Sequence, residues 1–234
     1  MTSQTPSLSF EVFPPNPAVG NEKILRALED MQGLAPHFIS VTASNNKYNI
    51  KETTVPLADH IQNDLAIPTI AHLPAIYLGK EKVADTLRDL DAVGVHRILA
   101  LRGDIIPGVE PLKDFRYATD LIEFIKEEAP QFDIIGACYP EGHPESPSLA
   151  ADIENIRSKV DAGAQFLSTQ MFFDNSLFYS YLNRLHAAGI DVPVLAGIMP
   201  ITNKRILTRS LAMSGTAVPA RYIAMIDAYG DSPE

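Results

Sequence analysis

Only one cysteine, Cys138, occurs in the 234 residues, so an internal disulfide is excluded and the composition fits a reducing, cytoplasmic compartment. Positive charge is scarce as well. The 19 Lys and Arg stand against 29 Asp and Glu, a formal charge of -10 that argues against general affinity for nucleic acid or an anionic membrane surface. An anionic ligand must then be held by a local basic or backbone-amide site. No apolar run reaches about 18 residues and no charged-then-apolar leader opens the chain, so neither membrane insertion nor export is expected. No glycine-rich dinucleotide fingerprint follows the first strand and no Walker loop is present, so a nucleotide, if bound, is held in another way. His, Cys and carboxylate residues do not fall at metal-ligand spacing, and no metal is expected.

What the chain has in quantity is apolar residue, 46% of the total, enough for a substantial α/β core. The clearest cue is Arg97-Ile98-Leu99-Ala100-Leu101-Arg102-Gly103-Asp104. A short apolar run that stops in an arginine, a glycine and a carboxylate predicts a strand buried on both faces of a parallel sheet, with its polar residues at the mouth. Further strands fit Ser7–Phe13, His37–Thr42, Thr69–Leu73, Asp133–Tyr139, Gln165–Phe172 and Pro193–Met199. Helical periodicity fills the intervals: 21–34, 51–65 with Pro56 expected to break or kink it, 80–93 capped by Gly94, 115–128, 148–162 and 176–188. Two more helical stretches cover 203–213 and 220–229.

Strands recur about every 30 residues, the spacing of βα units whose crossovers keep neighbouring strands parallel. Glu11, Thr42, His72, Asp104, Tyr139 and Gln170 all fall near strand C-termini, and a closed barrel is the form that gathers such ends at one site. The expected fold is a parallel (β/α) TIM-type barrel forming a single domain over 1–234. Seven βα units are recognisable, and the eighth strand and helix are missing from the chain.

Each polar candidate has an ordinary reading beside a functional one. Glu11 is either solvent-facing on an alternating strand or turned inward. Thr42 can cap the loop Ala43-Ser44-Asn45-Asn46, and His72 can be a satisfied core histidine. Arg102 and Asp104 can pair to cap a loop, while Gly103 lets the backbone turn tightly or lie against a ligand. The loop Glu141-Gly142-His143-Pro144-Glu145-Ser146-Pro147 is dense in donors and acceptors and stiffened by proline. After it, Asp152, Asn155 and Lys159 share one helical face, either as a plain solvated surface or with Lys159 supplying charge to a phosphate.

The motifs together resemble the methylenetetrahydrofolate reductase family. The residues that carry the likeness are Ser9-Phe10-Glu11-Val12-Phe13-Pro14-Pro15, Phe38-Ile39-Ser40-Val41-Thr42, Ala71-His72-Leu73, Leu101-Arg102-Gly103-Asp104, Tyr139-Pro140-Glu141-Gly142-His143-Pro144-Glu145, Lys159-Val160-Asp161-Ala162-Gly163-Ala164, Thr169-Gln170-Met171-Phe172-Phe173-Asp174 and Gly197-Ile198-Met199-Pro200. The resemblance spans nearly the whole chain and implies a β/α barrel that holds FAD. By position it implies Glu11 as the general acid that opens the folate's bridging methylene to an iminium. It implies Asp104 beside the flavin pyrimidine edge and the pterin, Gln170 as a second pterin contact, and Thr42 within reach of the substrate. Thr42, His72, Arg102, Gly103, Asp104, Tyr117, Ala118, Tyr139, His143, Asp152, Asn155 and Lys159 then line FAD, with His143 and Lys159 near its phosphates or adenosine.

The implied cycle passes a hydride from NADH or NADPH to FAD and, after the nicotinamide leaves, from reduced FAD to the folate. Three features depart from the family pattern: Ser158 where relatives often carry a second basic residue, Ala43-Ser44-Asn45-Asn46-Lys47 in place of a glycine-rich turn, and the end of the chain at Glu234. A homo-oligomer or a partner is expected to cover the open barrel edge. The leading expectation is an FAD-dependent oxidoreductase that converts methylenetetrahydrofolate to methyltetrahydrofolate. A second, from another class, is a flavin- or folate-binding paralogue or fragment that is silent or partner-dependent. A metal-dependent hydrolase or an aldolase ranks last, for want of a ligand cluster or a Schiff-base lysine at a strand end.

Overall fold

The computed structural model describes residues 7–15, 22–43, 49–201, 203–208 and 216–229. Seven strands stand in chain order in one sheet: β1 (Ser9–Val12), β2 (Phe38–Val41), β3 (Thr69–Pro74), β4 (Arg97–Leu101), β5 (Asp133–Cys138), β6 (Phe166–Thr169) and β7 (Val194–Leu195). Between them run α1 (Glu22–Gln32), α2 (Ile50–Asp59), α3 (Lys80–Ala92), α4 (Ala118–Glu128), α5 (Leu149–Asp161) and α6 (Asn175–Ala187), and α7 (Ala220–Tyr229) follows β7. Pairing is parallel between β1 and β2, β2 and β3, β3 and β4, and β6 and β7. Parallel strands in chain order, each followed by a helix, are the repeat of a TIM-type α/β barrel. None of the described helices is long and apolar enough to cross a membrane.

The chain divides into two compact units, Met1–Ile135 and Gly136–Glu234. In the first, register decides which residues share a face. Glu11 lies opposite Ser40, Ser40 opposite Ile70, and His72 follows Ile70 by two positions, so Glu11 and His72 belong to one face of the sheet. Ile70, Leu99 and Ile135 fill that face, with Phe38 and Leu101 against them. The alternate residues Val12, Val41, Ala71, Ile98 and Ala100 are buried on the other face. A strand covered on both sides is what the unbroken apolar reading of β4 requires. In the second unit Cys138, Ile153, Ile156, Leu167, Tyr181, Leu185 and Ile190 make the core.

Four expectations are corrected. Pro56 does not start a new segment: α2 runs through it, and a π-helical turn, His60–Asp64, follows, where the Leu65 N–H reaches back to the His60 carbonyl at 3.1 Å. Proline removes only one helical bond there, and Thr54, Val55, Leu57 and Ala58 are buried around it. The helix expected from 115 begins at Ala118, because the Asp120 carboxylate accepts the N–H groups of Arg116 and Tyr117 at 2.7 and 2.9 Å and fixes the helix start. β6 ends at Thr169, so Gln170 lies beyond the strand instead of within it. β7 keeps only Val194 and Leu195 of its expected seven residues, since Gly197 leaves the ladder and donates its N–H to Thr169 Oγ1 at 2.8 Å. Of the stretch 203–213, residues 203–208 are described, with a helical turn at 204–208, and 209–213 lie outside the described residues, as does Ser44-Asn45-Asn46-Lys47.

Candidate active site

In the first unit the strand ends form a recess of about 160 Å³, lined by Thr42, His72, Leu101, Gly103 and Asp104 together with Ala43, Pro74, Ile76 and Tyr77. Its floor is unusual in its polar groups. Thr42 Oγ1 and His72 Nε2 are buried, and among the described residues neither finds a hydrogen-bond partner. A buried hydroxyl and imidazole left in this state each cost on the order of 1–3 kcal/mol, a cost that a polar ligand in the recess would recover. Burial also drives His72 down to a pKa of about 4, so its ring is neutral at pH 7.

Glu11 stands 3.6 Å from the ring, Oε2 to Nε2. About half of its side chain is accessible (52%), yet the protein packed around it desolvates the carboxyl and raises its pKa above the ordinary value. Both shifts favour the uncharged form. A carboxyl biased toward its protonated form beside a buried, neutral imidazole of the recess is suited to general-acid work.

Gly103 shapes the rim. Its φ of +92° lies in the left-handed region, and a Cβ there would sit 3.1 Å from the Pro74 side chain, so no other residue fits without movement. Arg102 Nε donates to the Gly103 carbonyl at 3.2 Å. Asp104, next in sequence, is exposed at the rim. Tyr117 and Ala118 stand at the start of α4 and do not line the recess.

The second unit gathers a different set. The Asp152 carboxylate, only 3% exposed, accepts the His143 N–H at 3.2 Å and the Ser146 hydroxyl at 2.9 Å through Oδ1, and Asn155 Nδ2 reaches Ser146 Oγ at 3.4 Å. His143 accepts the Glu145 N–H at Nδ1, 3.1 Å, which leaves its ring proton on Nε2 when neutral, and its ring stands edge-on to Tyr139 at 4.6 Å. Lys159 Nζ donates to the Ala137 carbonyl at 2.7 Å, crossing from α5 to the end of β5. Ser148 caps α5 by accepting the Ala151 N–H. Gln170 donates its backbone N–H to Cys138 O at 2.8 Å and accepts the Met171 N–H through its side chain at 2.9 Å. Asp152, Asn155 and Lys159 therefore serve the loop and the strand end, a closer engagement than a solvated helix face.

Sequence reasoning missed Tyr77, Ile76 and Pro74 as recess walls. An aromatic hydroxyl five residues after His72, at the same end of the same strand, was the available signal. Pro74 is the last residue of β3, one beyond the expected strand, and is paired with Leu101.

A parallel β/α sheet that gathers polar groups of this kind at its strand ends is the arrangement of the barrel class. The profile of the methylenetetrahydrofolate reductase family matches residues 1–234. The 5,10-methylenetetrahydrofolate reductase of Escherichia coli K12 is 35% identical over 228 residues, 97% of this chain and 76% of that protein. Methylenetetrahydrofolate reductase (NADH) 1 of Zea mays is 30% identical over 242 residues, 97% of this chain and 41% of that protein. Among solved structures, a Clostridium thermocellum protein described as binding two copies of 5-methyl-5,6,7,8-tetrahydrofolic acid superposes with a TM-score of 0.64 at 14% identity, covering 95% of this chain and 75% of that one. The chain belongs to the methylenetetrahydrofolate reductase family and is an oxidoreductase of that family.

Proposed function

We propose that this protein reduces methylenetetrahydrofolate to methyltetrahydrofolate with NADH or NADPH, using FAD. The observation that carries the reading is the recess with two buried, unpartnered polar atoms, Thr42 Oγ1 and His72 Nε2, beside the raised-pKa carboxyl of Glu11. Those orphaned groups, and a rim where Gly103 admits close approach, fit a large heteroaromatic ligand edged with donors and acceptors. When bound, FAD supplies a two-electron carrier that lets nicotinamide and folate react in separate half-reactions.

The chain's own residues have distinct tasks. Glu11 holds a proton and delivers it to a folate nitrogen as the methylene bridge opens to the electrophilic iminium. Thr42 Oγ1 and the neutral His72 ring fix the heterocycle by hydrogen bonds instead of charge. Asp104, a carboxylate at the rim, orients the pterin and the flavin edge, with Gln170 as a second pterin contact. Arg102 and Gly103 shape the approach. In the second unit Tyr139, His143, Asp152, Asn155 and Lys159 serve the nucleotide part of the cofactor, Lys159 as the cation for its phosphates. Tyr117 and Ala118 complete the cofactor contacts at the start of α4.

NADH is named in the maize relative, which makes it the first donor to try. The test is an anaerobic titration of the purified protein followed by visible absorption. Flavin bands that bleach with NADH or NADPH and return with methylenetetrahydrofolate are expected. A protein that takes up no FAD, or whose reduced flavin is not reoxidised by the folate, would overturn the proposal.

A further inference from the structure

The loop that carries Asp104 is joined to the loop after β3 by a side chain as well as by backbone hydrogen bonds. The Ile106 N–H donates to the Tyr77 hydroxyl at 2.7 Å, and that hydroxyl faces the Val109 carbonyl at 3.4 Å. Around it the two loops are bound backbone to backbone: Ile76 N–H to Arg102 O at 2.8 Å, Leu112 N–H to Ile76 O at 3.0 Å, and Ala75 N–H to Leu101 O at 3.1 Å. Asp104 therefore lies between a glycine locked at positive φ on one side and a residue whose N–H is held by Tyr77 on the other. Tyr77 also contributes to the recess wall alongside Asp104.

We propose that Tyr77 is a positioning residue for Asp104, its hydroxyl holding the loop after β4 so that the carboxylate is presented at the rim before substrate arrives. The proposal rests on the assignment of Asp104 to the reaction. A carboxylate on a tethered loop is ordered once, by folding, and that ordering is not repeated at each turnover. The backbone bonds between the two loops reach Leu101, Arg102, Ile76 and Leu112, and the Tyr77 hydroxyl adds a side-chain tether at Ile106, two residues from Asp104.

Tyr77→Phe removes the hydroxyl and keeps the ring. Amide hydrogen exchange at Ile106 should accelerate about tenfold, the worth of one such bond, with protection in β3 and β4 unchanged. Folate reduction should slow by about tenfold, and in an Asp104→Asn background the same substitution should cost no further activity. Ile106→Pro, which removes the donor instead of the acceptor, should reproduce the loss and covers the case in which Tyr77→Phe does not fold. Unchanged exchange at Ile106 in Tyr77→Phe overturns the tether, and losses that multiply with Asp104→Asn overturn the positioning role. Should the unmodified protein reduce no folate, the proposed function fails on its own count, while exchange at Ile106 still decides whether Tyr77 holds the loop.

Discussion

The candidate site residues of the two units meet their surroundings differently, although the second unit also buries unpartnered atoms away from those residues, at Glu141 Oε1, Tyr181 Oη and Arg184 Nε. In the first, Thr42 and His72 are buried with unpartnered atoms, and Glu11 and His72 are both pushed toward their neutral forms. In the second, Asp152, His143 and Lys159 are committed to loop and strand-end hydrogen bonds. A group left unsatisfied by its own protein is poised to meet a ligand, and one already bonded is poised to hold a loop in shape. Substitutions should separate the two kinds of residue. The first set should lose reactivity with little loss of stability at neutral pH, and the second should lose stability first.

The largest effect is expected at Glu11. Glu11→Gln keeps size and hydrogen bonding but removes the proton, so the folate half-reaction should fall by roughly 10² to 10⁴-fold, the usual worth of a general acid, while nicotinamide still bleaches the flavin. Stopped-flow measurement of each half-reaction separates them. The sign of the pH dependence is fixed as well. Glu11 must be protonated to act, so the folate half-reaction declines as pH rises through its raised pKa, and the substitution abolishes that limb. An unchanged folate half-reaction would remove Glu11 from the role.

His72 tests the same unit through stability. Its folded pKa of about 4 lies below the 6.5 of a free histidine, so between those values the unfolded chain binds more protons. The stabilisation is full above pH 6.5 and is lost as pH falls toward 4, a decline worth about 3 kcal/mol from this residue alone. Glu11, which faces it, contributes with the opposite sign, because a raised carboxyl gains stability on protonation. Denaturant unfolding between pH 7 and 4 should therefore show a shallower slope in His72→Gln than in the unmodified protein. Equal slopes would mean the ring is not buried in its neutral form.

The contrast between the units also marks what could be read from sequence. The βα alternation was legible because strand and helix periods differ, and the polar strand ends were legible because an apolar run stops visibly. Glu11 and His72 could be named from the sequence, but their proximity depends on parallel register, which no local pattern contains. The shortening of β7 follows from a single side chain, Thr169, capturing the Gly197 N–H across the sheet. Tyr77 escaped because an aromatic residue in a loop looks like any packing residue until its hydroxyl is seen to bond. The roles of Asp152 and Lys159 were half legible: spacing placed them on one face, and only coordinates show that they face a loop and a strand end.

Asp152 should show the second unit's character. Asp152→Ala strands the His143 N–H and the Ser146 hydroxyl in a place where the carboxylate is only 3% exposed, at a cost of about 1–3 kcal/mol in denaturant unfolding. Asp152→Asn keeps an acceptor oxygen and should recover most of it. Flavin affinity should follow stability across the pair, since the residue acts by shaping the loop that carries His143.

The smallest effect is expected at Lys159, where the two behaviours meet. Its stem lies against β5 at Gly136 and its ammonium bonds the Ala137 carbonyl, so Lys159→Met keeps the packing and leaves one strand-end carbonyl without that donor. Stability should fall by about 1 kcal/mol. If the same ammonium also serves the cofactor's phosphates, FAD affinity falls by about tenfold and becomes less sensitive to salt, and Lys159→Arg restores the charge but not the geometry at Ala137. Measuring the FAD dissociation constant at two salt concentrations in all three proteins decides it. A Met variant that loses stability but binds FAD with unchanged salt dependence assigns Lys159 to the strand end alone, and the division between the units is then complete.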